Sequence, residues 1–111
     1  MTTFIISKRK NDELQFVLKA TNGQTILMSE GYKSMAACQS GIASVKLNAL
    51  DDHRFERKTS SNGKHYFNLK AAKGQVIGTS EMYESSEAME KGILSVHTNA
   101  PSAEVHDESE K

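Results

Sequence analysis

Four polar side chains stand close enough in this sequence to do chemistry, and the group occurs twice: Ser29, Glu30, Tyr32 and Ser34 return as Ser80, Glu81, Tyr83 and Ser85. A carboxylate beside a phenol and two hydroxyls could hold a small molecule or exchange protons with one. The same residues suit a strand-to-helix corner equally well. There Ser34 and Ser85 would cap the helices, the tyrosines would pack beneath the first turn, and the glutamates would favour the N-terminal dipole. Duplication favours the corner, because one catalytic centre rarely needs two copies. No catalytic residue is therefore expected.

The remaining reactive side chains carry less. Cys38 is the single cysteine, and its counterpart fifty-one residues later is Met89. A site that accepts either sulfur side chain reads as packed and apolar rather than as an activated thiolate. His53, His65, His97 and His106 make no His-x-His, His-Glu-x-x-His or Cys-x-x-Cys spacing. Neither a metal site nor a cofactor is expected.

The elements that position these residues follow from the repeat itself. Phe16-Val-Leu-Lys-Ala-Thr-Asn-Gly-Gln-Thr-Ile returns without a gap as Phe67-Asn-Leu-Lys-Ala-Ala-Lys-Gly-Gln-Val-Ile, and Gly41-Ile-Ala-Ser-Val as Gly92-Ile-Leu-Ser-Val. Such a repeat implies one structural unit used twice about an approximate two-fold axis. Phe16, Leu18 and Ala20 alternate with Val17 and Lys19 as in a half-buried strand. A second strand starts at Gln24, and an upstream strand holds Phe4 and Ile6. Lys73 would resist the positive φ of a type I′ turn, so a three-residue loop ending in glycine is predicted for both hairpins. That loop would pair Ala20 with Gln24, Leu18 with Ile26 and Phe16 with Met28. Cys38, Ile42, Val45 and Ala49 then follow at helical spacing, with Asn48 and Asn99 placed to end the helices in the left-handed conformation. Gly41 and Gly92 lie in a ridge of small residues that suggests close approach of helix to sheet or helix to helix.

The order βββα-βββα(β) gives an α+β domain, with one antiparallel sheet and both helices on one face. Parity assigns Ile5, Val17, Lys19, Thr25 and Leu27 of the first copy to the helix-free face. Glu56, Lys58, Tyr66, Asn68, Lys70, Val76 and Gly78 of the second share it. Ile5, Val17 and Leu27 form either an exposed contact patch or a surface covered by a swapped strand or sheet curvature. Lys19, Lys58 and Lys70 around Tyr66 supply the minimum for single-stranded nucleic acid binding. A solvated sheet face explains the same residues.

At Phe-x-Leu-Lys-Ala-x-Asn-Gly, Ser-Glu-x-Tyr and Gly-Ile-x-Ser-Val-x-x-Asn the chain resembles the YegP-like family of small bacterial proteins. The resemblance spans residues 4–107 and implies a tandem β3-α-β fold whose copies exchange strands. It carries no established activity and transfers no catalytic residues. Lys73 departs from the motif asparagine, and Glu87-Ala88-Met89 departs from Ala36-Ala37-Cys38.

Composition sets the outer limits. With 111 residues the chain is expected to form one domain over 1–107, with repeats at 4–49 and 55–100 and a flexible acidic tail at 108–111. Basic and acidic residues number fourteen each, but Pro101 to Lys111 carries a net −3 that leaves the body mildly basic. A single cysteine, no leader-like segment and no long apolar run predict a soluble cytoplasmic protein, not a membrane one. A monomer built as an internal pseudo-dimer is expected. The leading functional expectation is a non-catalytic interaction module that uses the open sheet face or the pseudo-symmetric groove to bind a macromolecule, with a protein as one candidate partner. Nucleic acid binding and small-molecule chemistry at the corners are the alternatives.

Overall fold

The computed structural model describes residues 2–110. The first copy supplies β1 (Thr3–Lys8), β2 (Leu14–Lys19), β3 (Thr25–Met28) and α1 (Met35–Asn48). The second supplies β4 (Phe55–Thr59), β5 (His65–Lys70), β6 (Val76–Thr79) and α2 (Ser86–Asn99), and β7 (Glu104–Asp107) comes after α2. All strands join one sheet in the order β4-β5-β6-β3-β2-β1-β7. The first six are antiparallel to their neighbours, as expected, whereas β7 lies parallel to β1 and makes the sheet mixed. β7 leaves the second copy's helix and crosses to the outer edge of the first copy, so a strand is exchanged between repeats.

Both hairpins close with the predicted three-residue loop. The Gly23 amide donates to Ala20 O at 2.9 Å and the Ala20 amide to Gln24 O at 2.9 Å, with Gly23 at φ +84°. Gly74 repeats this at φ +89°. Beyond the turn the expected register fails. Lys19 pairs with Thr25, but Leu18 then pairs with Leu27 and Val17 with Met28, leaving Ile26 as an extra residue. The predicted pairs Leu18–Ile26 and Phe16–Met28 do not form. The same β-bulge in β6 sets Leu69 opposite Gly78. A one-residue slip exchanges the faces of everything that follows it. Leu27 and Gly78 therefore turn to the helix side, and Met28 turns away.

The helices begin where the serines predict. Ser34 Oγ accepts from the Ala37 amide and Ser85 Oγ from the Ala88 amide, each at 3.1 Å. Asn48 and Asn99 do not enter the left-handed region; among the described non-glycine residues only Asp12 has positive φ. Their side-chain amides instead donate one turn back, to Ser44 O at 2.8 Å and Ser95 O at 3.0 Å. The helices thus end on alanine C-caps in ordinary helical geometry.

A single apolar core runs through both copies, with Phe4, Phe16, Leu18, Val45, Phe67, Leu69 and Val96 fully buried. α1 lies over β2 and reaches β5 and β6, while α2 lies over β5 and reaches β3. This interlock matters because β3 and β6 share only the pair Met28–Thr79. At the start of the segment expected as a flexible tail, Glu108 and Ser109 make specific contacts. The Glu108 amide donates to Ile6 O at 2.8 Å, and Ser109 is buried with its hydroxyl 2.6 Å from Asp107 Oδ1. Lys111 lies outside the described residues.

Candidate interaction surface on the helix-free sheet face

The Ser-Glu-x-Tyr corners prove to be built for packing. Ser29 Oγ accepts the Phe16 amide at 2.9 Å and donates to Glu30 O at 2.8 Å; Ser80 does the same for Phe67 and Glu81 at 3.0 and 2.8 Å. Tyr32 stacks on Phe16 with ring centroids 6.0 Å apart, and Tyr83 on Phe67 at 6.4 Å. Each hydroxyl lies against the helix glycine. A Cβ on Gly41 would come within 2.7 Å of Tyr32 Cζ, and one on Gly92 within 2.8 Å of Tyr83 Cζ. The glycines thus admit a tyrosine between sheet and helix. Burial pushes both phenols above their ordinary pKa, with Glu30 and Glu81 adding to the effect.

Cys38 is fully buried, and its thiol is pushed up by burial and by Asp107. His97 Nδ1 lies 2.8 Å from Ala49 O and links the ends of the helices. Among the described residues no three His, Cys, Asp or Glu side chains gather as a metal set would. The hollow beside Tyr83, lined also by Ile26, Lys91 and Ser95, measures about 210 Å³. That is below the roughly 300 Å³ at which ligand pockets usually begin.

Cross-strand pairing builds a different arrangement on the helix-free face. One row crosses all seven strands: Glu56, Asn68, Thr79, Met28, Val17, Ile5 and His106. Its neighbours in sequence, Phe4, Phe16 and Phe67, are buried beneath the helices, so the row points the other way. Ile5 and Val17 are directly paired and half-buried, and Met28, 44% exposed, completes their cluster. Leu27, expected in this patch, is fully buried on the opposite side. Met28 was the missed member. A glycine within β6, in phase with Leu27, was the available signal of a bulge.

The lysines lie on the expected face, but Lys58 and Lys70 are not free charge. Lys70 Nζ is 3.1 Å from Glu56 Oε2, and Lys58 Nζ is 4.0 Å from Glu56 Oε1. Hydrogen bonds from Lys70 and Asn68, with the Lys58 charge, hold the Glu56 carboxyl below its ordinary pKa. Asn68 Oδ1 in turn accepts from Thr79 Oγ1 at 2.8 Å. Tyr66 pairs with Lys58, next to this network. Lys19 lies between Thr3 and Thr25, on the apolar half, and makes no ion pair among the described residues. The face is therefore divided, with an apolar cluster on the first copy and a neutralised polar network on the second.

No helix among the described residues is long and apolar enough to cross a membrane. The chain matches the family described as Domain of unknown function (DUF1508) at residues 10–56 and again at 60–107. It is 52% identical over 104 residues to the UPF0339 protein YegP of Shigella flexneri, covering 94% of each chain. It is also similar to the solution NMR structure of yegP, a protein of unknown function from E. coli. That match has a TM-score of 0.94 and 48% identity, covering 99% of this chain and 95% of the other. A UPF0339 protein of Shewanella oneidensis, also solved by NMR, superimposes with a TM-score of 0.93 at 42% identity, covering 99% of this chain and 93% of the other. None of these names assigns an activity. With two successive matches that together span most of its length, the chain belongs to the DUF1508 family.

Proposed function

We propose that this protein is a non-catalytic binding module that holds a protein partner on its helix-free sheet face. The observation that carries the reading is the directly paired cluster Ile5, Val17 and Met28, set on a sheet face that no helix covers. Apolar side chains flanked by one lysine suit a partner surface with an apolar centre and a carboxylate beside it, which would meet Lys19. The polar residues at the corners support the same reading, because their hydrogen bonds and ring stacking are used in holding strands and helices together.

Single-stranded nucleic acid fits this face less well. Such binding draws on unpaired basic charge along a groove with stacked aromatics. Here Glu56 engages both Lys58 and Lys70, and Tyr66 is the single aromatic on that face.

The test is photo-crosslinking in cells from a reactive side chain placed at Val17, with the exposed Leu47 of α1 as control. The reading predicts one dominant partner from position 17, absent from position 47 and lost on Met28→Glu. Equal products at both positions, or none at position 17, would overturn it. Salt-sensitive retention of oligo(dT) by the unmodified protein would favour nucleic acid instead.

A further inference from the structure

The two outer edges of the sheet are not equivalent. The first copy's β1 is covered by β7, in parallel, with Thr3, Phe4, Ile5 and Ile6 opposite Glu104, Val105, His106 and Asp107. The second copy's β4 forms the other edge, and no strand among the described residues lies outside it. Topology explains the difference. The chain leaving α1 passes through a 3-10 turn, Asp52–Arg54, and becomes β4 itself, so it cannot also cover that strand's outer side.

We propose that the outer edge of β4 is a second binding site, independent of the sheet face, which takes an extended acidic segment of a partner protein as an added parallel strand. The register of β7 on β1 supplies the chemistry. Fifty-one residues on, Thr3, Phe4, Ile5 and Ile6 become Arg54, Phe55, Glu56 and Arg57. A segment patterned like β7 would set an acid opposite Arg54, an apolar residue opposite Phe55, a histidine or base opposite Glu56, and an acid opposite Arg57. Every charged position meets its opposite, where β1 offers none.

Three further observations agree. The edge already holds carboxylates: Arg57 Nη2 is 3.0 Å from Asp52 Oδ1, and Arg57 Nε is 2.8 Å from Glu90 Oε2. Asp52 is largely exposed and free to give way. On the helix side of the edge lies a hollow of about 180 Å³, lined by Asp52, Glu90, Ile93, Leu94 and His97. An apolar side chain opposite Phe55 would point towards that layer, as Phe55 does. Arg57 Nη1 meanwhile caps Phe55 O at 3.3 Å, a long bond that an incoming amide can replace. The protein's own β7 is not available to a second copy. It is held beside β1 at high effective concentration, with the Glu108 amide extending the pairing.

The experiment is an NMR titration of the isotope-labelled full chain with a blocked synthetic peptide of residues 102–110. A companion peptide carries Lys at the positions of Glu104 and Asp107. The proposal expects shifts and slowed amide exchange at Arg57 and Thr59, with binding at least roughly tenfold weaker for the companion. Arg57→Glu should reverse that preference; if that variant does not fold, Arg54→Glu should at least narrow it. Absence of binding, equal binding of both peptides, or shifts at β1 through displacement of β7 would overturn the proposal. So would protein dimerisation that protects Arg57 without peptide, since the occupant would then be a second copy.

Discussion

Leu27 lies directly over Gly78, its own counterpart in the second copy. A Cβ built on Gly78 would come within 2.7 Å of both Leu27 Cδ2 and Cγ. Both residues sit beside the β3–β6 junction, near the pseudo-two-fold axis, where one side chain needs the volume that two would share. Broken symmetry at this pair is thus a packing solution. One copy supplies the leucine and the other supplies the space.

Gly78→Ala should destabilise the protein by about 1–3 kcal/mol through overpacking. Leu27→Ala should cost about 2–5 kcal/mol through the cavity it leaves. The double variant should be more stable than the sum of the single losses implies, since the added methyl partly fills that cavity. Urea denaturation of the three variants measures this coupling, and strict additivity would refute the shared-volume account.

The paired tyrosines set an alkaline limit. Tyr32 and Tyr83 are raised above the ordinary value of 10.0, chiefly by burial. As pH rises past that value, the unfolded chain releases these protons before the folded chain does. Their contribution to stability is therefore complete below the ordinary tyrosine value and is lost as pH climbs through the raised one. Urea midpoints should fall across that range, and Tyr32→Phe with Tyr83→Phe should flatten the decline. An unchanged slope in the double variant would place the alkaline loss elsewhere.

Much of this architecture is legible in the chain because the same demand is written twice. Phe16, Leu18, Ile42 and Val45 recur because the core needs them in both copies, and Lys73 rules on the turn because it resists positive φ. The bulges were not legible from alternation alone. Ile26 and Leu27 are consecutive apolar residues, and simple parity sends one of them to the wrong face. The bulge buries both and exposes Met28. Asn48 looked like a left-handed cap, but its amide finds the Ser44 carbonyl within the helix. The uncovered β4 edge depends on sheet order, which no local pattern in the chain encodes.

Glu56 is the residue that keeps the second copy's face from acting as a basic surface. Replacing it with lysine would remove the acceptor of Lys70 and Lys58 and set three lysines around Asn68 and Tyr66. Retention of oligo(dT) should appear in Glu56→Lys at low salt and vanish steeply as salt rises. Equal retention by the unmodified protein would show that the carboxylate does not neutralise the face.

Cys38 offers a reporter of global opening. Its side chain is fully buried beneath α1, and burial together with Asp107 keeps the thiol protonated more strongly than usual. The thiolate is the species that reacts with a disulfide reagent, so the folded state should be inert. Labelling should then require opening of α1 from the sheet, and because α1 also lies over β5 and β6, that opening removes one of the two helix contacts that interlock the copies. The free energy obtained from the labelling rate should match that from urea denaturation, and Gly78→Ala should accelerate labelling in proportion to its loss of stability. Rapid labelling of the unmodified protein in native buffer would mean that α1 opens locally, and that the two copies do not unfold as one unit.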